Sequence, residues 1–226
     1  MAAELDGPRL APGNGPARQL VVFLHGYGAD GNDLIEIGRA WQPFLPQVAF
    51  VAPNAPHACG QAPMGREWFP LTFRNPTERW DGVNMAAPGL DAFLDAELAR
   101  HQLPPSALAL VGFSQGTMMA LQVGLRRAVA PAAIVGYSGM LVLEGDKDVQ
   151  GYAPQVRSRP PVLLIHGDAD DLIPVQALIL STQALAALEV PVEWHVSNGI
   201  GHGIDDEGLR HGGEFLARRF RSLGTA

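Results

Sequence analysis

The chain has 226 residues, 47% hydrophobic and 17% charged, a globular composition long enough for one α/β domain with a sizeable core. Lys and Arg number 16 against 23 Asp and Glu, and the net charge of −7 argues against a nucleic-acid partner, which needs clustered cations. The single cysteine, Cys59, excludes an intrachain disulfide and fits a reducing compartment, so a cytoplasmic location is expected.

Residues 1–18 are rich in Gly and Pro and read as an N-terminal extension or short hairpin. They carry neither the basic nor the apolar region of a signal peptide, and no apolar run anywhere approaches the ~18 residues of a membrane span. A strand is expected over 19–24 (QLVVFL), a helix over 31–40 and a strand over 48–52 (VAFVA). Residues 53–88 break the pattern: prolines recur (Pro53, Pro56, Pro63, Pro70, Pro76, Pro88) among the aromatics Trp68, Phe69, Phe73 and Trp80. A connection of that length inside a compact domain is usually functional, and it reads as a long substrate-site loop. A helix over 89–101 follows, with Phe93, Leu94 and Leu98 on one side.

The rest of the chain alternates strands at 108–113, 133–137, 162–165 and 192–196 with helices over 115–129, 175–188 and 207–223. Most strands are continuously apolar, as in a parallel sheet covered on both faces. The βαβα order implies a doubly wound, mostly parallel sheet with right-handed crossovers, spanning 1–226 as a single domain. The basic cluster Arg218-Arg219-Phe220-Arg221 falls in the last helix, where cations complement the macrodipole, and reads as a solvated face.

The motif with chemical content is Gly112-Phe113-Ser114-Gln115-Gly116, which follows an apolar strand and opens a helix. That context is a nucleophile elbow: a sharp strand-to-helix turn strains the serine and lifts its hydroxyl above the sheet, and side chains at the flanking glycines would clash. Cys59 lies in a loop without a strand-to-helix signature and is a poor competitor. The elbow expects an acid and then a histidine further along the chain, which sets aside His25, His57 and His101 as the base. Of the four that remain, His166 ends a strand, His195 lies within one and His211 falls in the last helix. His202, in the glycine-rich loop between the last strand and the last helix, is the best placed. The acid should come from His166-Gly167-Asp168-Ala169-Asp170-Asp171, and spacing leaves its three aspartates open: Asp168 could brace the turn, and Asp171 could cap the next helix. Oxyanion donors are expected from the backbone N–H groups of Gln115 and of Tyr27, in the loop His25-Gly26-Tyr27-Gly28. That loop has no phosphate-binding pattern of the Gly-Lys-Ser/Thr or GxGxxG type.

With these residues in place, the chain after residue 18 resembles the phospholipase/carboxylesterase family of α/β-hydrolases, which includes small bacterial carboxylesterases and acyl-protein thioesterases. The resemblance rests on Phe23-Leu-His-Gly26, Pro53-Asn-Ala-Pro56, Trp68-Phe69, Gly112-Phe-Ser-Gln-Gly116, His166-Gly-Asp-Ala-Asp170 with Ile173-Pro174, and Gly201-His202. It implies an α/β-hydrolase fold without a large lid and a carboxylic ester hydrolase using Ser114, Asp170 and His202, the acid being the second aspartate of HGDxD. It also supports Tyr27 as an oxyanion donor. Pro70 and Thr117 stand where relatives often have Asp and Gly, and both fall near the expected acyl pocket. Met64, Trp68, Phe69, Leu71, Leu172 and Ile173 are the candidate acyl-binding residues. The expected partner is a small-molecule ester, with a homodimer left open, and the mechanism requires no cofactor or metal. Acyl-thioesterase or lysophospholipase activity is the alternative. A related hydrolase of lactones or peptides, and a non-catalytic binding protein on the same fold, are weaker readings.

Overall fold

A computed structural model describes residues 5–72, 75, 77–145 and 149–223. In chain order the elements are β1 (Arg9–Leu10), β2 (Gln19–Leu24), α1 (Gly31–Trp41), β3 (Val48–Val51), β4 (His57–Ala58), β5 (Arg66–Glu67) and α2 (Glu78–Arg100). There follow β6 (Leu108–Phe113), α3 (Gln115–Gly124), β7 (Ala133–Tyr137), α4 (Val149–Tyr152), β8 (Val162–Gly167), α5 (Gln176–Ala187), β9 (Val192–Ser197) and α6 (Asp206–Leu223).

The main sheet runs β1-β3-β2-β6-β7-β8-β9, parallel except for β1 against β3, and β4 pairs with β5 as a separate two-stranded ribbon. Side-chain alternation divides the interior into two layers. Leu20, Val22 and Leu24 of β2 face a cluster that takes in Leu90 and Leu94 of α2, Met118 and Leu121 of α3, and Leu185 of α5. Val21 and Phe23 face the opposite cluster, with Ile35 and Trp41 of α1 and Phe215 and Leu216 of α6. Both faces of the central strands are therefore covered, which is why those strands carry little polar punctuation.

Three expectations shift. The segment 1–18 forms no local hairpin among its described residues. Instead β1 is an edge strand, with Arg9 opposite Val51 and Leu10 opposite Phe50, and Arg9 binds the buried Glu97 of α2 through two nitrogens at 2.8 and 3.2 Å. The long loop is shorter than expected, because α2 begins at Glu78 rather than at 89. Pro88-Gly89 reads locally as a helix start, but burial of Val83 in the same cluster as Phe69 and Leu90 carries the helix through the proline. Conversely, α3 stops at Gly124 and not at 129. The carbonyl of Leu125 there accepts the N–H groups of Arg157 and Ser158, at 2.9 and 3.2 Å, as the chain turns away. Phe73 lies outside the described residues.

All parallel strands point their C-terminal ends the same way. The chain leaves β2 toward β3 on one side, while β6 flanks β2 on the other. Ligands of open α/β sheets bind above such a point, where the connections diverge. The segments after β2, β6, β8 and β9 carry His25 to Asp30, Ser114, Asp168 to Ile173, and Asn198 to Asp205.

Candidate active site

Ser114 occupies the single residue between β6 and α3, at φ 53° and ψ −115°. A non-glycine residue held at positive φ costs about 1–3 kcal/mol and persists only where its surroundings impose it. Here the Ser114 N–H donates to the Tyr137 carbonyl at 2.9 Å, which locks the turn to the neighbouring strand. A Cβ on Gly116 would lie 1.8 Å from the Leu24 carbonyl oxygen, and one on Gly112 would lie 2.4 Å from the Thr117 nitrogen. Only glycine at these positions lets the start of α3 abut the end of β2, so that the serine and the loop after β2 share one space. Thr117, expected near an acyl pocket, is instead fully buried beneath the turn, its hydroxyl 2.9 Å from the carbonyls of both Gly112 and Tyr137. Pro70 is exposed and does not line the cavity above Ser114.

The loops after β8 and β9 bring an acid and an imidazole together. His202 Nδ1–H donates to Asp170 Oδ2 at 2.8 Å, which leaves Nε2 the unprotonated nitrogen of the neutral ring. Asp170 Oδ1 accepts the N–H groups of Leu172 and Ile173 at 3.0 and 2.9 Å. Burial of this carboxyl would raise its pKa, but the Ile173 N–H, His202 and the Leu172 N–H together hold it below its ordinary value. The site therefore carries a carboxylate able to orient an imidazole and to stabilise its protonated form. His166 braces the acid loop, donating from Nε2 to the Ile173 carbonyl at 2.7 Å while lying 3.3 Å from Asp170 Oδ2. The other two aspartates stand apart: Asp168 accepts the Gly199 N–H at 2.6 Å and so ties the two loops together. Asp171 is exposed, and α5 begins after Val175 without a side-chain cap.

On the opposite side lies the loop after β2. Its geometry depends on His25, which chain order excludes as a base. The buried ring donates from Nδ1 to the Gly26 carbonyl at 2.8 Å and accepts the Ala55 N–H on Nε2 at 2.9 Å. That assignment is the neutral tautomer, and burial lowers the pKa of the ring accordingly. Gln115 joins this loop to the elbow indirectly: its amide accepts the Trp68 N–H at 2.9 Å and donates to the Phe69 carbonyl at 2.8 Å, while Trp68 Nε1–H donates to the His25 carbonyl at 2.9 Å. Gln115 is also the first residue of α3, so its backbone N–H has no partner within the helix. The Tyr27 phenol has the Cys59 thiol as a neighbour, and that neighbour together with burial pushes its pKa up. Cys59 is a buried residue packed behind the loop, near Gly28.

A cavity of about 670 Å³ opens over Ser114. Ser114, Gln115, His202 and Tyr27 all line it, and so do Met64, Leu71, Leu172 and Ile173 of the expected acyl-binding set, with Phe113 and Met118 added. Trp68 and Phe69 do not line it. They are fully buried, behind the loop after β2 and against the early turns of α2, where each aromatic contributes about 1.5–3 kcal/mol of burial. Asp30, Asp33 and Arg79 give the cavity a polar rim. Ser138 has no signature in the sequence. At φ 45° beyond β7, it donates its hydroxyl to the Gly203 carbonyl at 3.1 Å and so steadies the loop carrying His202.

A mostly parallel sheet clad by helices, with a strained serine turn, an Asp–His pair and a glycine loop above the strand ends, defines an α/β-hydrolase. The sequence matches the Phospholipase/Carboxylesterase family over residues 5–219, and the chain belongs to that family. It is 26% identical to acyl-protein thioesterase 1 of Gibberella zeae, covering 97% of this chain and 98% of that one. It is 25% identical to esterase YpfH of Escherichia coli, over 86% of this chain and 80% of the relative. Among solved structures it resembles esterase PE8, with 44% identity, a TM-score of 0.90, and 96% and 99% of the two chains covered.

Proposed function

We propose that this hydrolase cleaves carboxylic esters of small to medium acyl chains, with Ser114 as nucleophile, His202 as general base and acid, and Asp170 as the group that orients His202. The observation that carries this reading is the shared cavity: the serine at positive φ and the imidazole bound to a buried carboxylate both face it. The substrate carbonyl sits with its oxygen toward the N–H groups of Tyr27 and Gln115. Ser114 Oγ attacks the carbonyl carbon as His202 Nε2 takes its proton, and the C–O bond to the leaving alcohol breaks as that proton is returned to it. Water then cleaves the acyl-enzyme by the same route. Met64, Leu71, Leu172 and Ile173 are the proposed acyl contacts, a mainly apolar wall beside a few polar groups, as in other small-molecule sites. The cytoplasm is the proposed location, in keeping with a single buried cysteine and the absence of disulfides.

Thioester cleavage is the second reading, favoured by the end-to-end alignment with acyl-protein thioesterase 1. The chemistry would be the same, with a thiol leaving in place of an alcohol. Two measurements test the proposal. A fluorophosphonate should label Ser114 in the folded protein, and absence of labelling would overturn the assignment. A panel of p-nitrophenyl esters of rising acyl length, run beside acyl-thioester and lysophospholipid substrates, should show the highest kcat/KM among the short and medium esters. A clear preference for thioesters would replace the first reading with the second.

A further inference from the structure

Away from Ser114, three metal-ligating side chains meet at the sheet edge where β9 lies against α6. His195 comes from β9, and Glu207 and His211 stand one helical turn apart on α6. One ligand atom from each lies within 4.8 Å of the other two. The imidazole centroids are 4.4 Å apart, and His211 Nε2 is 3.6 Å from Glu207 Oε1. His195 Nε2 is buried and has no hydrogen-bond partner. A polar nitrogen in that position is costly unless something satisfies it, and the ring that carries it lies against the His211 imidazole. Neither α/β packing nor the proposed ester chemistry requires such a trio. Among the described residues it is also the one group of three or more His, Cys, Asp or Glu side chains close enough to share an ion.

We infer that His195, Glu207 and His211 bind a divalent transition-metal ion of the zinc type. Two imidazoles and one carboxylate are the donors such ions favour, whereas calcium and magnesium take oxygen ligands. The i,i+4 spacing puts both helical ligands on one face, toward the strand that carries the third. Ligand atoms lie about 2.0–2.2 Å from zinc, so the trio closes by roughly an ångström on binding. Glu207 is exposed and can swing inward. Three protein ligands leave a fourth position for water. The ion would fasten α6 to β9. These are the two elements that flank residues 198–205, the span presenting His202, and Ser197 and Asp205 already clamp the base of that span with a 2.7 Å hydrogen bond. The predicted consequence of binding is a stiffer His202 loop. The site itself does not depend on the role proposed for Ser114.

Titration calorimetry of the untagged, metal-stripped protein with zinc chloride near neutral pH tests the inference. One ion should bind per chain, and saturating zinc should raise Tm. Loss of an outer-shell partner alone costs a metal site about 10–100-fold in affinity. His211→Gln and Glu207→Gln, each removing a ligand from the surface of α6, should weaken binding by at least that much while preserving the circular dichroism and the metal-free Tm. His202→Ala should bind zinc like the wild type. Three results would overturn the site: no zinc uptake by the wild type, unchanged affinity in both helix variants, or loss of binding in His202→Ala. The last would place the ion at the Asp170–His202 pair.

Discussion

Ser114, His202 and Asp170 come from three separate connections between elements, and each is held by its own set of contacts. The serine is held at positive φ by its N–H bond to the Tyr137 carbonyl and by glycines on both sides that admit no side chain. The imidazole is held by one hydrogen bond to Asp170, and the carboxylate by two backbone N–H groups of its own loop. These differences predict different losses. Ser114→Ala should abolish fluorophosphonate labelling and leave the fold intact. His202→Ala should lower kcat by roughly 10⁴–10⁶-fold, the range seen when members of such a unit are removed. Steady-state kinetics on a p-nitrophenyl ester measure the fall, and wild-type turnover would overturn His202 as the base. Asp170→Asn keeps the shape of the side chain but no longer enforces the imidazole tautomer, so a loss of about 10⁴-fold in kcat with little change in KM is expected.

At the scale of elements, the predictions concern where the backbone tolerates a Cβ. The contact between the start of α3 and the end of β2 leaves 1.8 Å between a Cβ on Gly116 and the Leu24 carbonyl. Gly116→Ala must therefore separate the two elements. It should cost about 1–3 kcal/mol or more, read from urea unfolding, and it should also lower activity because the loop after β2 moves relative to Ser114. Gly89 gives the opposite case: it lies inside α2, and an added Cβ meets nothing within 4 Å. Gly89→Ala should stabilise the protein by about 0.5–1 kcal/mol by lowering the entropy of the unfolded chain. The same helix shows why local signals fail here. Pro88-Gly89 is a start by propensity, yet residues 78–87 before it are helical too, because Val83 and its neighbours are buried in the cluster that holds Phe69.

Over the whole molecule, buried ionisable groups set the pH range of stability. Burial depresses the pKa of His25 from its ordinary 6.5. A group whose folded pKa is depressed contributes its stability above the unfolded value and loses it as the pH falls. Acid destabilisation should therefore begin near pH 6.5 through His25. Asp170 and Asp205, both held below 3.8 in the folded protein, extend it to lower pH. Tm measured from pH 8 downward by differential scanning calorimetry should show this two-stage decline. In His25→Asn the first stage should flatten, while Tm at neutral pH drops because the bonds to Gly26 and Ala55 are weakened.

Much of this architecture is written locally. Continuous apolar runs of the right length mark the parallel strands, because a strand covered on both faces must be apolar throughout. A serine between two glycines, after a strand and before a helix, marks the turn at Ser114, because only that sequence permits the backbone to bend so sharply. Chain order and loop composition single out His202, and family resemblance rather than spacing singles out Asp170. Other features follow only from tertiary structure. Trp68 and Phe69 are apolar whether they line a cavity or fill a core, and it is the packing of α2 that puts them in the core. Ser138 gains its contact with the Gly203 carbonyl from a segment 65 residues away. The meeting of His195 with Glu207 and His211 likewise depends on how α6 docks against β9. Local sequence determines backbone shape and burial preference, whereas side chains from distant segments become neighbours only once the sheet and its two helical layers close.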